Sequence, residues 1–250
     1  MPGPFAYQKR KEGLWETVRT IVYAIVIAIV ARTVAYEPFN IPSSSMVPTL
    51  LVGDYLFVSK FSYGYSRYSL PFGLPLISER IFFTPPDRGD VAVFKLPSDN
   101  RTDYIKRIIG LPGDFIQMKK GRLYINDTLV ERKQVEDFTI RNAYGVQAVR
   151  QYVETLPNGR HHRILEASDE GRLDDTPVYK VPPGHYFAMG DNRDNSLDSR
   201  AKHGVGFVPE ENLVGRAEVL FFSVNGDARF WEFWKWPAAI RFRRVFQSID

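Results

Sequence analysis

The chain has no cysteine and only four histidines among its 250 residues. Without cysteine there can be no disulfide bond, no thiolate nucleophile and no cysteine-ligated zinc site. This absence does not assign a compartment, because a cysteine-free protein tolerates either redox state. Neither sign of charge strongly exceeds the other. The net charge is +4 and the basic residues form no long stripe, which argues against a nucleic-acid-binding protein.

Long hydrophobic runs are missing from most of the chain, with one exception near the N-terminus. Residues 20–31 carry no charge, and the apolar character extends over about 23 residues from 14 to 36, where a membrane-spanning helix needs roughly 20. We therefore predict a single transmembrane helix at 14–36. A cleaved signal peptide fits less well because Pro38 stands where cleavage would be expected. A buried core helix fits less well because the run is apolar on every face.

The charges around this run predict its orientation. Three basic residues at 9–11 precede it, and Glu37 is the first charge after Arg32. The positive-inside rule places residues 1–13 in the cytoplasm and residues 37–250 outside, which in a bacterium is the periplasm or the outer face of the plasma membrane.

Beyond the apolar run, the pattern changes to short stretches of β-forming residues separated by turn signals. These stretches predict strands at 54–59, 90–95, 115–119, 122–126 and 217–222. No helical pattern of ten or more residues separates them, so the sheets should be mostly antiparallel. The predicted fold class is mainly β.

The distribution of polar residues predicts a division of this β region. We assign 37–119 and 181–228 to the core and 120–180, which is polar and mixed in charge, to a smaller subdomain. His161 and His162 lie in this subdomain and are predicted to be surface loop residues rather than metal ligands.

Two aromatic segments leave alternatives open. Residues 61–86 are nearly uncharged and broken by Pro and Gly, and they form either an irregular loop over the core or a surface that touches a bilayer. Residues 229–250 combine three tryptophans with basic residues, which suits either an interfacial segment or a terminal element packed on the domain.

Ser45 follows the apolar run closely, and Lys106 lies in a largely apolar predicted strand. A serine hydroxyl is a weak nucleophile until a base takes its proton. Lysine can act as that base only when burial lowers its pKa toward neutrality. Because adjacent strand positions face opposite ways, one of Lys106 and Arg107 can point inward while the other stays in water. Spacing alone leaves an alternative without catalysis, in which Lys106 is a solvated residue at a strand edge and Ser45 is a turn residue.

Four blocks, in order behind the apolar run, carry a resemblance to the bacterial type I signal peptidases. They are 42–50 (PSSSMVPTL), 88–94 (RGDVAVF), 104–114 (YIKRIIGLPGD) and 190–200 (GDNRDNSLDSR). The likeness extends over roughly residues 15–222 and is weak across 61–86 and 120–180. It implies a membrane-anchored endopeptidase with an antiparallel β catalytic domain.

The resemblance also implies roles for individual residues. Ser45 would be the nucleophile and Lys106 the general base of a Ser/Lys dyad. The Ser43 hydroxyl and the Ser45 backbone N–H would form the oxyanion hole. Ser196 would orient the lysine amine, with a supporting ion pair formed by the residues Asp198 and Arg200. Ser44 departs from the family, because many members have glycine there.

The substrates that the resemblance implies are signal peptides of exported preproteins, with small residues at two positions before the scissile bond. An extended peptide would pair with the strand that contains Tyr104, and its small side chains would enter shallow pockets. The matching pocket positions are Phe39, Ile41, Met46, Leu50, Val93, Tyr104 and Ile105, some of which also suit core packing. Membrane lipids are the other expected partner, at the bacterial plasma membrane. No cofactor, metal or nucleic acid is expected.

Three other interpretations were weighed. The aspartates of 190–200 could form a calcium loop, but Arg193 stands where a ligand would be expected and the required glycine is absent. A self-cleaving repressor protease also uses a Ser/Lys dyad, but it has a DNA-binding domain in place of an apolar run. A tethered β domain that only binds peptides remains the non-enzymatic alternative.

Overall fold

The computed structural model describes residues 13–70, 77, 79–142, 145–225 and 232–249. The helices are α1 (Leu14–Val34) and the short α2 (Trp236–Ala239). The strands are β1 (Tyr36–Asn40), β2 (Asp54–Ser59), β3 (Val91–Lys95), β4 (Asp103–Gly110), β5 (Phe115–Lys119), β6 (Arg122–Ile125), β7 (Thr128–Leu129), β8 (Glu131–Gln134), β9 (Phe138–Asn142), β10 (Gly145–Val149), β11 (Gln151–Thr155), β12 (His161–Leu165), β13 (Tyr179–Lys180), β14 (His185–Met189), β15 (Val208–Pro209) and β16 (Leu213–Ser223). All five predicted strands are present, and the last is longer than predicted.

The largest sheet has seven strands in the order β1-β2-β16-β3-β4-β14-β15, and each pair of neighbours is antiparallel. The mainly β, antiparallel prediction is thus confirmed. Strand β4 pairs with β3 from Arg107 to Asp103, whereas β14 pairs with it only from Arg107 onward. Within the described residues, no strand pairs with 103–106 on that second side. This half of β4 therefore presents an open edge.

Three smaller sheets complete the β structure, in the orders β13-β5-β6-β7, β12-β11-β8 and β10-β9. The predicted boundaries of the smaller subdomain fall within the first of these, because β5 from the predicted core pairs with β6 and β13. This sheet therefore contains strands from both sides of residue 120, and the division into a core and a smaller subdomain stays a prediction. Residues 143–144 lie outside the described part of the chain.

The core below the large sheet is built from alternating strand positions. In β2, Leu56 and Val58 are fully buried while Tyr55 is exposed, as expected for a strand with one face in the core. The loop after β1 contributes Met46 and Leu50 to the same cluster, and Val93 joins it from β3. Packing on this cluster fixes the serine-rich loop against the sheet.

Helix α1 confirms the prediction of a helix at 14–36, but not its prediction as a membrane-spanning anchor. Glu16, Arg19 and Arg32 interrupt its apolar sequence. Of the helices in the described ranges, none combines the length and the apolar character that a membrane crossing requires. The helix exposes apolar side chains to solvent. Ile25, for example, has about half of its surface exposed.

The C-terminal segment packs on the large sheet through Arg244, which donates to both carboxylate oxygens of Asp54, at 3.1 and 2.6 Å. It still exposes Trp234, Phe242 and Phe246. Residues 232–249 thus form a packed element with exposed aromatic side chains, and contact of these side chains with a bilayer stays a prediction. The predicted residues 229–231 and 250 lie outside the described part.

The segment 61–86 is irregular, with short 3-10 turns at Phe61–Tyr63 and Arg67–Ser69. It buries Tyr63 in the core and exposes 82% of the surface of Phe82. Residues 71–76 and 78 lie outside the described part of the chain.

The prediction for His162 is wrong, while His161 is exposed as predicted. His162 lies in β12 and keeps only 5% of its surface, because alternation along the strand turns it toward the inside. Burial, followed by the charge of Arg107, lowers its pKa.

Candidate active site

The side chains of Ser45 and Lys106 meet in the interior. The Lys106 Nζ lies 2.7 Å from the Ser45 Oγ and 2.9 Å from the carbonyl oxygen of Ile105. Ser45 keeps 9% of its surface and Lys106 keeps 4%. Two residues that are 61 positions apart are therefore joined by a buried hydrogen bond.

Burial controls the charge of this lysine. Removal from water lowers the pKa of Lys106 to about 8, because burial disfavours the charged amine. The carboxylates of Asp198 and Asp191 act in the opposite direction but do not outweigh it. Above about pH 8 the amine is mostly neutral and can accept a proton.

The turn at 190–200 holds the serine-rich loop in place. The Asn192 backbone N–H donates to the Ser45 carbonyl oxygen at 3.1 Å, and its side chain donates to the Ser44 carbonyl oxygen at 3.0 Å. The Asn195 side chain donates to the Ser44 Oγ at 2.8 Å. The hydroxyl that departs from the family pattern therefore bonds to this turn and not to the dyad.

Gly190 allows the turn and the loop to approach each other. A Cβ at this position would lie 2.5 Å from the Ser45 carbonyl oxygen and 2.2 Å from the Ser196 Oγ, both far inside van der Waals contact. A side chain here would push Ser45 or Ser196 out of place.

The two other predicted serines lie near the dyad. The Ser43 Oγ is 3.4 Å from the Ser45 Oγ, on the exposed side. Ser196 is buried, and its Oγ makes no hydrogen bond to Lys106. It lines the same cleft, so its role toward the lysine stays a prediction.

Two buried ion pairs support the turn. Arg200 donates from Nε and a terminal nitrogen to the two oxygens of Asp198, both at 2.9 Å, and Asp198 also accepts from the Gly190 N–H. Burial alone would raise the pKa of Asp198, but the charge of Arg200 holds it below its usual value. The predicted ion pair between Asp198 and Arg200 is thus present within the turn.

The second pair corrects the prediction that one of Lys106 and Arg107 stays in water. Arg107 is 1% exposed and donates to the two oxygens of Asp191 at 2.9 and 2.8 Å. Both lysine and arginine can be buried because the sheet has structure on each face. Burial alone would raise the pKa of Asp191, but the charge and hydrogen bonds of Arg107 outweigh burial. The pKa of Asp191 therefore lies below its usual value.

A cleft of about 750 Å³ opens beside the dyad. Five predicted pocket residues line it: Phe39, Ile41, Val93, Tyr104 and Ile105. The two other predicted positions, Met46 and Leu50, are fully buried in the core and are not among the residues that line this cleft. They shape it only by packing beneath it.

Comparison with known proteins extends over the same blocks. A family model described as "Signal peptidase, peptidase S26" matches residues 14–222, which is most of the chain. The chain belongs to this signal peptidase family. Membership identifies it as a hydrolase of the protease class that acts in signal-peptide processing.

Relatives of the signal peptidase family are similar along nearly the whole length. The signal peptidase I of Rickettsia conorii is 39% identical, with 92% of this chain and 91% of that protein covered. For Rickettsia typhi the identity is 39% and the coverage is 96% of each chain. A solved signal peptidase I from Enterococcus faecalis is 25% identical and covers 53% of this chain and 97% of its own, with a TM-score of 0.31.

In this signal peptidase, the roles of Asn192 and Asn195 were not predicted from the sequence. Both lie in the block 190–200, where the density of Gly, Asp and Asn predicted a turn. The signal was present in the turn chemistry, because asparagine side chains readily bond to nearby backbone. The sequence did not show that their partner would be Ser44, which lies about 150 positions earlier in the chain.

Proposed function

We propose that this chain is a serine endopeptidase that cleaves signal peptides from exported preproteins, with Ser45 as nucleophile and Lys106 as general base. The observation that carries the proposal is the buried 2.7 Å contact between the Lys106 Nζ and the Ser45 Oγ. A lysine pKa of about 8 makes a neutral amine available near physiological pH.

The proposed reaction has two steps. Neutral Lys106 takes the proton from Ser45 as its Oγ attacks the scissile carbonyl, and the ammonium then protonates the leaving amine. Water, activated by the lysine, hydrolyses the resulting acyl-enzyme and restores the serine. The Ser43 hydroxyl and the Ser45 backbone N–H stabilise the oxyanion, and Ser196 positions the amine.

The open edge of β4 supports the mode of substrate binding. The backbone at 103–106 can pair with an extended peptide, and alternate side chains would enter the adjoining cleft. Phe39, Ile41 and Ile105 narrow this cleft with apolar groups. Small side chains such as those of Ala-x-Ala fit beside them, and larger ones are excluded by contact.

Purified protein and a preprotein with an Ala-x-Ala cleavage site test this proposal. Ser45→Ala should lose at least about 10³-fold in kcat/KM, because it removes the attacking oxygen that contacts the Lys106 amine. Ser44→Ala is the matched control and should lose less than about tenfold, since its hydroxyl bonds to Asn195 and not to the lysine. Cleavage by Ser45→Ala at near the wild-type rate would rule out the dyad.

We further propose that α1 attaches the protein to the bacterial plasma membrane. The support is its exposed apolar surface, which includes Trp15 and Ile27, because a surface of this kind is favourable only against lipid or another protein. The chain lacking 1–34 should move from the sedimented membranes to the supernatant and keep its peptidase activity on a soluble peptide. Equal sedimentation of the two chains would contradict this attachment.

A further inference from the structure

Three carboxylates converge beside the active-site turn, outside the dyad and its ion pairs. Glu166 follows β12, Asp174 lies in the loop toward β13, and Asp194 lies in the 3-10 turn Arg193–Asn195. One oxygen from each lies within 4.8 Å of the other two. Glu166 and Asp174 are buried, and Asp194 is exposed at the edge.

Backbone contacts orient the two aspartates, each through its Oδ2 atom. The Asp194 Oδ2 accepts from the N–H groups of Ala167 and Ser168, at 2.7 and 3.0 Å. The Asp174 Oδ2 accepts from the Gly171 N–H, while its Oδ1 is buried without a hydrogen bond. These contacts fix both aspartates close to Glu166.

Glu166 is the independent indication that something binds there. Its side chain is 0% exposed, and neither carboxylate oxygen has a hydrogen-bond partner among the described residues. Buried polar groups are nearly always paired, because an unpaired one loses its hydration without replacement.

The arginines described near Glu166 donate no hydrogen bond to it. An Arg132 nitrogen lies 3.7 Å from Glu166, beyond hydrogen-bond distance. The nearby arginines pair with other carboxylates: Arg132 and Arg150 with Asp169, Arg193 with Glu154 and Arg200 with Asp198.

We propose that Glu166, Asp174 and Asp194 bind a hard divalent cation of the Ca²⁺ or Mg²⁺ class. Carboxylate oxygens are the ligands that these ions prefer, and waters can complete the shell on the exposed side of Asp194. The adjoining glycine keeps this space free, because a Cβ on Gly171 would lie 2.6 Å from Asp194 Oδ1 and 3.0 Å from Asp174 Oδ2.

The cation would act on the active site as a positioning element. It would join the loop at 166–174 to the turn Arg193–Asn195, whose Asn195 bonds to the Ser44 Oγ beside the nucleophile. The turn at 190–200 has three aspartates. Asp191 and Asp198 form ion pairs with arginines, and only Asp194 belongs to this site.

Thermal unfolding of the full chain tests the site without any need for activity. After treatment with a chelator, the protein is melted in about 10 mM CaCl₂, in MgCl₂, and in NaCl of equal ionic strength. For a millimolar site, the divalent salt should raise the unfolding temperature by about 4 °C over NaCl. Glu166→Gln should remove the shift, and Glu170→Gln, which deletes the same charge at an exposed position in the same loop, should keep it.

Titration calorimetry with CaCl₂ provides the second measurement, and Asp194→Asn the second variant in case Glu166→Gln does not fold. Loss of the calcium heat in Asp194→Asn together with a wild-type response supports the site. A wild-type shift no larger than that in NaCl, or an undiminished shift in Glu166→Gln or Asp194→Asn, would overturn it.

Discussion

Replacing Lys106 with methionine is expected to abolish signal-peptide cleavage and to stabilise the fold at neutral pH. Methionine has a similar length and no charge, so it fills the same buried space. If Lys106 is the general base, as we propose, its loss should lower kcat/KM by at least about 10³-fold. The stability gain follows from the lysine pKa of about 8 in the folded protein, against 10.5 for the free side chain.

The sign follows from proton binding. Below about pH 8 the lysine is charged in both states, so folding must bury an ammonium group, and the difference between about 8 and 10.5 corresponds to about 3 kcal/mol. This penalty is constant below about 8, shrinks as the pH rises, and vanishes above about 10.5. Loss of the lysine hydrogen bonds removes about 1 kcal/mol from the gain. The variant should thus be more stable by about 2 kcal/mol at pH 7.

Urea unfolding at pH 7 and at about pH 10.5 measures the effect. Lys202→Met serves as control, because Lys202 is exposed and its replacement should change the free energy of unfolding by less than about 0.5 kcal/mol. Two results would contradict a buried lysine with a lowered pKa. One is a Lys106→Met variant that is less stable than the wild type at pH 7, and the other is a stability difference that does not depend on pH.

Asp191→Asn is expected to lower the free energy of unfolding by about 3–5 kcal/mol. Asparagine has the same shape but no charge, so the guanidinium of Arg107 would remain buried without a counter-charge. The turn after β14 and the Ser45 loop should loosen with it, and cleavage should fall at temperatures where the variant is still folded.

Chemical unfolding of Asp191→Asn is compared with that of Asp87→Asn. Asp87 also pairs with an arginine, but it is 71% exposed, and its replacement should change stability by less than about 1 kcal/mol. Joint replacement by Arg107→Met and Asp191→Leu should recover part of the loss, because no charge is then left unpaired. If Asp191→Asn and Asp87→Asn lowered the free energy of unfolding equally, burial would not increase the cost of breaking the ion pair, and the prediction would be wrong.

The sequence predicted the parts of the fold that depend on local pattern. Strands such as 54–59 and 115–119 have the predicted ends, because alternation and turn residues are local. The start of β16 was missed, because Gly215 breaks the pattern of β-forming residues between Leu213 and Ala217. That glycine is needed because a Cβ there would lie 2.3 Å from the Ser59 carbonyl oxygen, which belongs to a neighbouring strand.

For the site, the four blocks predicted which side chains would assemble but not how they are buried. Arg107 and Asp191 are 84 positions apart, and neither shows in sequence that the other removes it from water. Met46 was assigned to a pocket because its position matches one in the family. Its depth depends on the packing of distant strands, which the block itself does not contain.

The bond between the Ser44 hydroxyl and Asn195 has a consequence for inhibitors. It ties both walls of the cleft together before any ligand arrives, so little chain entropy remains to be lost on binding. A compact, rigid inhibitor shaped to the cleft should therefore gain more affinity per atom than a long flexible one.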